Sequence, residues 1–330
     1  MVLSLASTPL EKPDRLKIGE WLESLKAFSE DDDFLTEISK VSKAKIGEGT
    51  YGKVYDFLLP DLKSDYVIKH ISPTPHESKV INEIKFHQIA SKVNIAVPFF
   101  GGLIFNLSNG NYAGYIVSKK ATCDMHHYVN HHQSTGTLSL DNLVQIIFMT
   151  AVQLTNMKSI TGLDYTDLKL ENVLITTTTE DELEAVNLTD FEFLGNSHFG
   201  TIEYADPTHL KVCDEDPKNN LDKKNTWALM VMTLNSLSGR LIFYDKHLPS
   251  SIEAIEARIT RRIGLLPTSM NSQIEKIQKI ALDTLTFKRA DRPEPIQFAL
   301  RLISEIGSEP LLKKLGVITT VPPQIKSDKE

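Results

Sequence analysis

The sequence predicts an α+β fold in which strands dominate the first third of the chain and helices the remainder. Three observations carry the prediction. Between residues 43 and 117, short apolar and β-branched runs are separated by turn-forming clusters, Gly47 to Gly52 and Asn109-Gly110. From Leu140 to Lys158 an apolar-rich stretch has the length of a long helix. The composition, 41% hydrophobic and 24% charged over 330 residues, allows a substantial buried core.

Residues 14 to 40 carry Trp21, Leu22, Leu25, Phe28, Phe34, Leu35 and Ile38 around Asp31-Asp32-Asp33, a pattern for one or two short amphipathic helices with the acidic run at a helix start. Lys43 to Ile46 and Lys53 to Leu59 then flank the glycine cluster as two strands of a hairpin. A dinucleotide-binding loop would instead run straight into a helix. Glycines at 47, 49 and 52 let the backbone approach an anion closely. Tyr66 to Ile71 reads as the next strand. Pro75 to Ala90 reads as a helix with Val80, Ile84, His87 and Ile89 roughly on one face. Val173 to Thr176 and Ala185 to Leu188 form a later hairpin that delivers Asp190-Phe191. Residues 308 to 330, with Pro322-Pro323 and a charged end, read as a tail.

The formal net charge of -7 argues against a nucleic-acid partner, which would favour a basic face. Cys123 and Cys213 offer neither a disulfide framework nor zinc spacing, which suits a reducing compartment. No apolar run approaches the ~20 residues of a membrane span, and Met1 to Leu10 lacks the charged start of a secretory signal. A cytoplasmic protein without a membrane span is expected. His126, His127, His131 and His132 include a pair four residues apart, on a polar helix where a solvated face is favoured over metal binding.

In order along the chain stand Gly47-Glu48-Gly49-Thr50-Tyr51-Gly52-Lys53-Val54, Lys69, Glu83, Asp167-Leu168-Lys169-Leu170-Glu171-Asn172 and Asp190-Phe191. The series resembles the motifs of eukaryotic-type protein kinases from about residue 41 to about residue 305. Gly200 to Thr208 resembles the end of a kinase activation segment, Trp227 the start of the buried helix that follows it, and Arg289-Ala290-Asp291-Arg292-Pro293 the late Arg-Pro signature. The resemblance implies a two-lobed fold: a helical extension over 1–40, a small β-rich lobe over 41–120, a larger helical lobe over 121–307 and a tail over 308–330. It also implies transfer of the γ-phosphoryl group of ATP, with magnesium, to a protein substrate. Lys169, two positions after Asp167, resembles the serine/threonine type.

In that family Asp167 would orient or deprotonate the acceptor hydroxyl, and Lys169 would neutralise charge on the transferring group. Asn172 and Asp190 would hold magnesium, and Lys69 would meet the α- and β-phosphates. Glu83 is preferred to Glu77 as the partner of Lys69, because Asn82 to His87 resembles the family's run there. Ile46, Gly47, Gly49, Gly52 and Val54 would enclose the nucleotide, Ser118 to Ala121 would form the hinge, Val117 the gatekeeper, and Asp124 would lie near the ribose.

Tyr165 and Thr166 replace the family's His-Arg, Glu192 replaces the glycine of Asp-Phe-Gly, Thr208 replaces the glutamate of Ala-Pro-Glu, and Asn225 replaces an aspartate. None of these positions ligates phosphate, metal or acceptor, so the reacting groups are intact. Asp-Phe-Glu also resembles choline and aminoglycoside kinases, which makes a small-molecule kinase one alternative. A pseudokinase that binds nucleotide or a partner is another. An inward Glu192 would add an oxygen ligand and broaden metal use toward manganese. Thr166 carries no charge to pair with a phosphorylated loop, so the short segment from Asp190 to Pro207 is expected to order by packing. The divergent, compact core also loosely resembles effector kinases delivered by bacterial pathogens, which would place it in a host cytosol.

Overall fold

A computed structural model describes residues 12–25, 31–49, 52–62, 65–196, 200–209, 216, 218–239, 252–263 and 271–315. The chain divides into two compact units, residues 1–128 with 156–199 and residues 129–155 with 200–330.

In the first unit, strands β1 (Ser42–Gly49), β2 (Gly52–Phe57), β3 (Tyr66–Thr74), β4 (Phe99–Asn106) and β5 (Tyr112–Lys119) form an antiparallel sheet in the order β1-β2-β3-β5-β4. The expected turn joins β4 to β5: Gly110 has φ +80, and its amide donates to the Leu107 carbonyl at 2.9 Å. A positive φ is cheapest for glycine, which is why this position ends the strand cleanly.

Strand alternation divides the sheet's side chains between two helical layers. Tyr66, Ile68, Tyr115 and Val117 share one buried cluster with Ile18, Leu22 and Leu25 of helix α1 (Lys12–Leu25) and with Ile38 and Val41 of α2 (Asp31–Val41). Ile71, Ile116 and Phe99 meet Val80 and Ile84 of α3 (Glu77–Lys92). Fully burying one such aliphatic side chain is worth ~1.5–3 kcal/mol. The adjacent glycines of β4 let both helices come close. A Cβ on Gly101 would stand 2.2 Å from Leu22 of α1, and one on Gly102 would stand 2.6 Å from Ile84 of α3. The amphipathic reading of residues 14 to 40 therefore becomes a layer of the core at Trp21, Leu22, Leu25 and Ile38, and the side chains of Phe34 and Leu35 lie outside the described ones. Phe28 lies outside the described residues.

Strands β6 (Cys123–Asp124), β7 (Val173–Thr177) and β8 (Leu183–Leu188) make a second, three-stranded antiparallel sheet in this unit. It carries the catalytic-loop and Asp-Phe segments identified in the sequence. Helix α4 (Met125–Thr135) follows β6, and α5 (Leu140–Thr161) precedes the catalytic-loop segment.

The second unit is helical. Helix α6 (Leu221–Ser238) is buried along nearly its whole length, with Trp227 fully enclosed, and it stops at Gly239 in a left-handed conformation of φ +65. Helices α7 (Ile252–Ile263), α8 (Asn271–Thr284) and α9 (Pro295–Ile306) follow. Pro295 at the first turn of α9 and the reciprocal bonds of Glu294 and Gln297 fix its start.

Thr208 leaves this segment without its expected acid, but Asp206 supplies one two positions earlier. Buried Asp206 accepts from Arg289 Nε at 2.6 Å and Nη2 at 3.0 Å, and from Arg292 Nη1 at 2.7 Å. The first residues of the expected tail form α10 (Glu309–Lys314), whose start is capped by Ser308; residues 316–330 lie outside the described residues. No described helix is long and apolar enough to cross a membrane.

Candidate active site

Lys69 is the centre of the site. It projects from β3 on the same face as Ile71 and Ile116. Its Nζ donates to Glu83 Oε1 at 2.7 Å and to Asp190 Oδ1 in a short ion pair. Glu83 reaches it from α3, where it is buried, whereas Glu77 is exposed at the helix start. Burial works against the Lys69 charge, but the Asp190 and Glu83 carboxylates outweigh it and raise its pKa above the usual lysine range. Burial raises the pKa of Glu83 despite Lys69. For Asp190, burial is overcome by Lys69 and the pKa falls.

Asp190 adopts φ +59, a left-handed conformation that costs a non-glycine residue and persists only where surroundings impose it. Those surroundings are identifiable. Thr189 on its N-terminal side donates its amide to the Asn172 carbonyl at 3.1 Å and accepts a short hydrogen bond from the Tyr165 hydroxyl. Phe191 on the other side is fully buried, its ring 6.0 Å from Tyr165 and 5.8 Å from His87. Thr166 Oγ1 donates to the Phe193 carbonyl at 2.6 Å. The two residues that replace His-Arg thus brace the segment bearing Asp190.

Asp167, Lys169 and Asn172 lie together at the entry to β7. Asn172 Nδ2 donates to the Asp167 carbonyl at 2.8 Å and to its Oδ2 at 3.2 Å, and Lys169 Nζ is 3.3 Å from the same oxygen. The 3-10 turn Leu170–Asn172 creates this closeness by folding the loop back before the strand begins. The donor set suits a hard divalent cation. Asp190 keeps 42% of its side-chain exposure with Oδ1 on Lys69, and carboxylate and amide oxygens are magnesium's preferred ligands.

The glycine loop is described on both sides of residues 50 and 51. A Cβ on Gly52 would lie 2.5 Å from the His70 carbonyl, so strand pairing already demands glycine there. Gly47 and Gly49 have no such constraint, since added Cβ atoms would meet ordinary contact or open space. Val54 pairs with Lys69 across β2 and β3 and shares its face, and Ile46 is 43% exposed.

Two predicted positions have other surroundings. Val117 pairs with Ile68 and packs in the cluster beside α1, on the face opposite Lys69, because strand side chains alternate. Buried Ser118 is the β5 residue at that end of the strand on the Lys69 face. Asp124 caps the first turn of α4, accepting from the His127 amide at 2.8 Å and contacting its ring. Among the other histidines, His126 lies 3.5 Å from Glu171 and His132 bonds Thr137.

Glu192 faces Lys79 at 3.7 Å, and burial followed by the Glu83 charge pushes its pKa up to about 7. His87 was legible only as part of an apolar helix face; its position one turn beyond Glu83 is the signal that places it against Phe191. Ser197 and Cys213 lie outside the described residues.

A family model described as the protein kinase domain matches residues 41–303. No curated protein matches the chain.

Proposed function

The chain belongs to the protein kinase domain family, and from that membership we propose that it transfers the γ-phosphoryl group of ATP, with magnesium, to serine or threonine hydroxyls of a protein substrate. Members of the family transfer phosphoryl groups to protein substrates. The observation that carries the finer reading is the assembled polar set: Lys69 shared between Glu83 and Asp190, with Asp167, Lys169 and Asn172 grouped on the loop before β7. Phosphoryl transfer asks a protein chiefly for positioning and charge compensation, and these residues provide both.

Lys69 holds the α- and β-phosphates, and Glu83 keeps its ammonium in place. Asp167 orients the acceptor hydroxyl and takes its proton, while Lys169 offsets charge on the group in transit. Asn172 and Asp190 would hold magnesium, which would supply charge neutralisation for the transferring group. Gly47 and Gly49, which the fold does not require to be glycine, leave the backbone open to the phosphates. The small-molecule-kinase reading leaned on Glu192 as a metal ligand; its pairing with Lys79 favours the protein-kinase reading.

The test is incubation of the purified chain with labelled ATP, magnesium and a cell lysate, followed by phosphoamino-acid analysis of labelled bands. Label on serine or threonine is expected, and Asp167→Ala should lose ~10²- to 10⁴-fold in transfer rate while retaining nucleotide. Nucleotide binding without transfer by the unaltered chain would instead establish a pseudokinase. Unchanged transfer by both Asp167→Ala and Lys69→Ala would refute the assignment.

A further inference from the structure

Helix α1 lies outside the family match yet is tied to the segment that carries Asp190. Its Asp14 accepts from the Tyr66 hydroxyl at 2.8 Å with both side chains buried. Arg15 Nη2 donates to the Phe99 carbonyl at 2.9 Å, and its guanidinium lies 5.1 Å from the centre of the Phe100 ring. That carbonyl sits where β4 is irregular, because the pairing of β4 with β5 shifts between Phe99 and Gly101. A slipped ladder fixes its strand less firmly, so an added hydrogen bond has more to determine there.

From Phe99 a series of rings crosses the unit. Phe99 and His87 are 5.9 Å apart, and His87 and Phe191 are 5.8 Å apart in an edge-to-face arrangement. Phe191 immediately follows Asp190, whose left-handed backbone requires surrounding support.

We propose that Arg15 is a positioning residue for Asp190: by fixing the Phe99 carbonyl at the irregularity of β4, it holds Phe99, His87 and Phe191 in register and so places the metal-binding carboxylate. The proposal rests on Asp190 being the magnesium ligand assigned above. It gives α1 a part in the chemistry beyond covering an apolar face.

Arg15→Ala, Arg15→Lys and Leu22→Ala in the full chain test it. Leu22→Ala weakens the same helix at Gly101 and leaves the Arg15 contact in place, so it controls for simple loss of stability. The first measurement is amide exchange at Phe191 without nucleotide or metal, since Phe191 is the last ring of the series and directly follows Asp190. The second is the magnesium concentration that gives half-maximal ATP binding by calorimetry.

With conditions adjusted so that both variants are equally far from unfolding, Arg15→Ala should speed Phe191 exchange about 3- to 10-fold over Leu22→Ala, the scale of one lost hydrogen bond. The magnesium midpoint should rise by a similar factor, and Arg15→Lys, which keeps a donor, should recover part of both. If Arg15→Ala folds poorly, Arg15→Lys against Leu22→Ala carries the comparison. Equal Phe191 exchange in the Arg15 and Leu22 variants overturns the proposal. Faster exchange in a chain whose ATP binding ignores magnesium supports the positioning and refutes the metal role of Asp190 instead.

Discussion

Replacing His87 by leucine should remove a large part of the chain's sensitivity to mild acid. His87 is 3% exposed, and neither ring nitrogen closes a hydrogen bond. Burial, followed by the Lys69 ammonium, pushes its pKa down from 6.5 to about 4; the Val97 backbone and Asp190 oppose this without reversing it. The imidazole is therefore neutral when folded, while the unfolded chain takes up a proton below 6.5. Stability contributed by the neutral form is fully present above 6.5 and is lost as pH falls toward 4, because the unfolded state binds more protons across that window. A displacement from 6.5 to about 4 is worth about 3 kcal/mol across the window.

Leucine fills much of the same space between Phe99 and Phe191 without a titrating group. The assay is denaturant unfolding of both proteins at a series of pH values from about 7.5 down to about 4.5, with the difference in stability plotted against pH. That difference cancels the remaining groups, including His70, whose pKa is also lowered. His87→Leu should gain steadily on the unaltered chain as the medium is acidified. Parallel curves would show that His87 does not titrate between the two states as its surroundings require.

Asp206→Asn leaves Arg289 and Arg292 buried without their carboxylate and should destabilise the helical unit by ~3–5 kcal/mol, measured by denaturant or thermal unfolding. Gly52→Ala should lower stability by ~1–3 kcal/mol through the clash with the His70 carbonyl, whereas Gly49→Ala should leave unfolding unchanged and weaken ATP binding in a calorimetric titration. Glu192→Gly should leave the ratio of magnesium- to manganese-supported transfer unchanged, since Glu192 faces Lys79. Phosphatase treatment of protein made in a kinase-free host should leave activity intact, because Thr166 already holds Phe193 by a hydrogen bond.

The hairpins, α3, α5 and α6 were legible because each combines a periodic apolar pattern with local turn chemistry. Lys69, Glu83 and Asp190 were legible through order and spacing, although their meeting depends on contacts far apart in sequence. Val117 was read as the gatekeeper, but its side chain lies on the face opposite Lys69, because side chains alternate and one residue of register reverses every assignment. The compensating acid at Asp206 was missed for a different reason: a buried pair with Arg289 and Arg292 is decided by tertiary approach and leaves no local periodicity. Tyr165 and Thr166 looked like losses because their hydroxyls bond backbone carbonyls at 189 and 193, partners that sequence cannot specify.

The neighbouring glycines Gly101 and Gly102 also bear on where the folding unit starts. Homology begins at residue 41, but the groove that Gly101 leaves is already filled by Leu22, nineteen positions before that boundary. A fragment excised at the family boundary would present Phe57, Phe100 and Val117 to water with no helix over them. Such a fragment should express poorly and self-associate, as exposed apolar sheet faces do. For expression and crystallisation, a fragment that keeps α1 should be more soluble than one cut at residue 41.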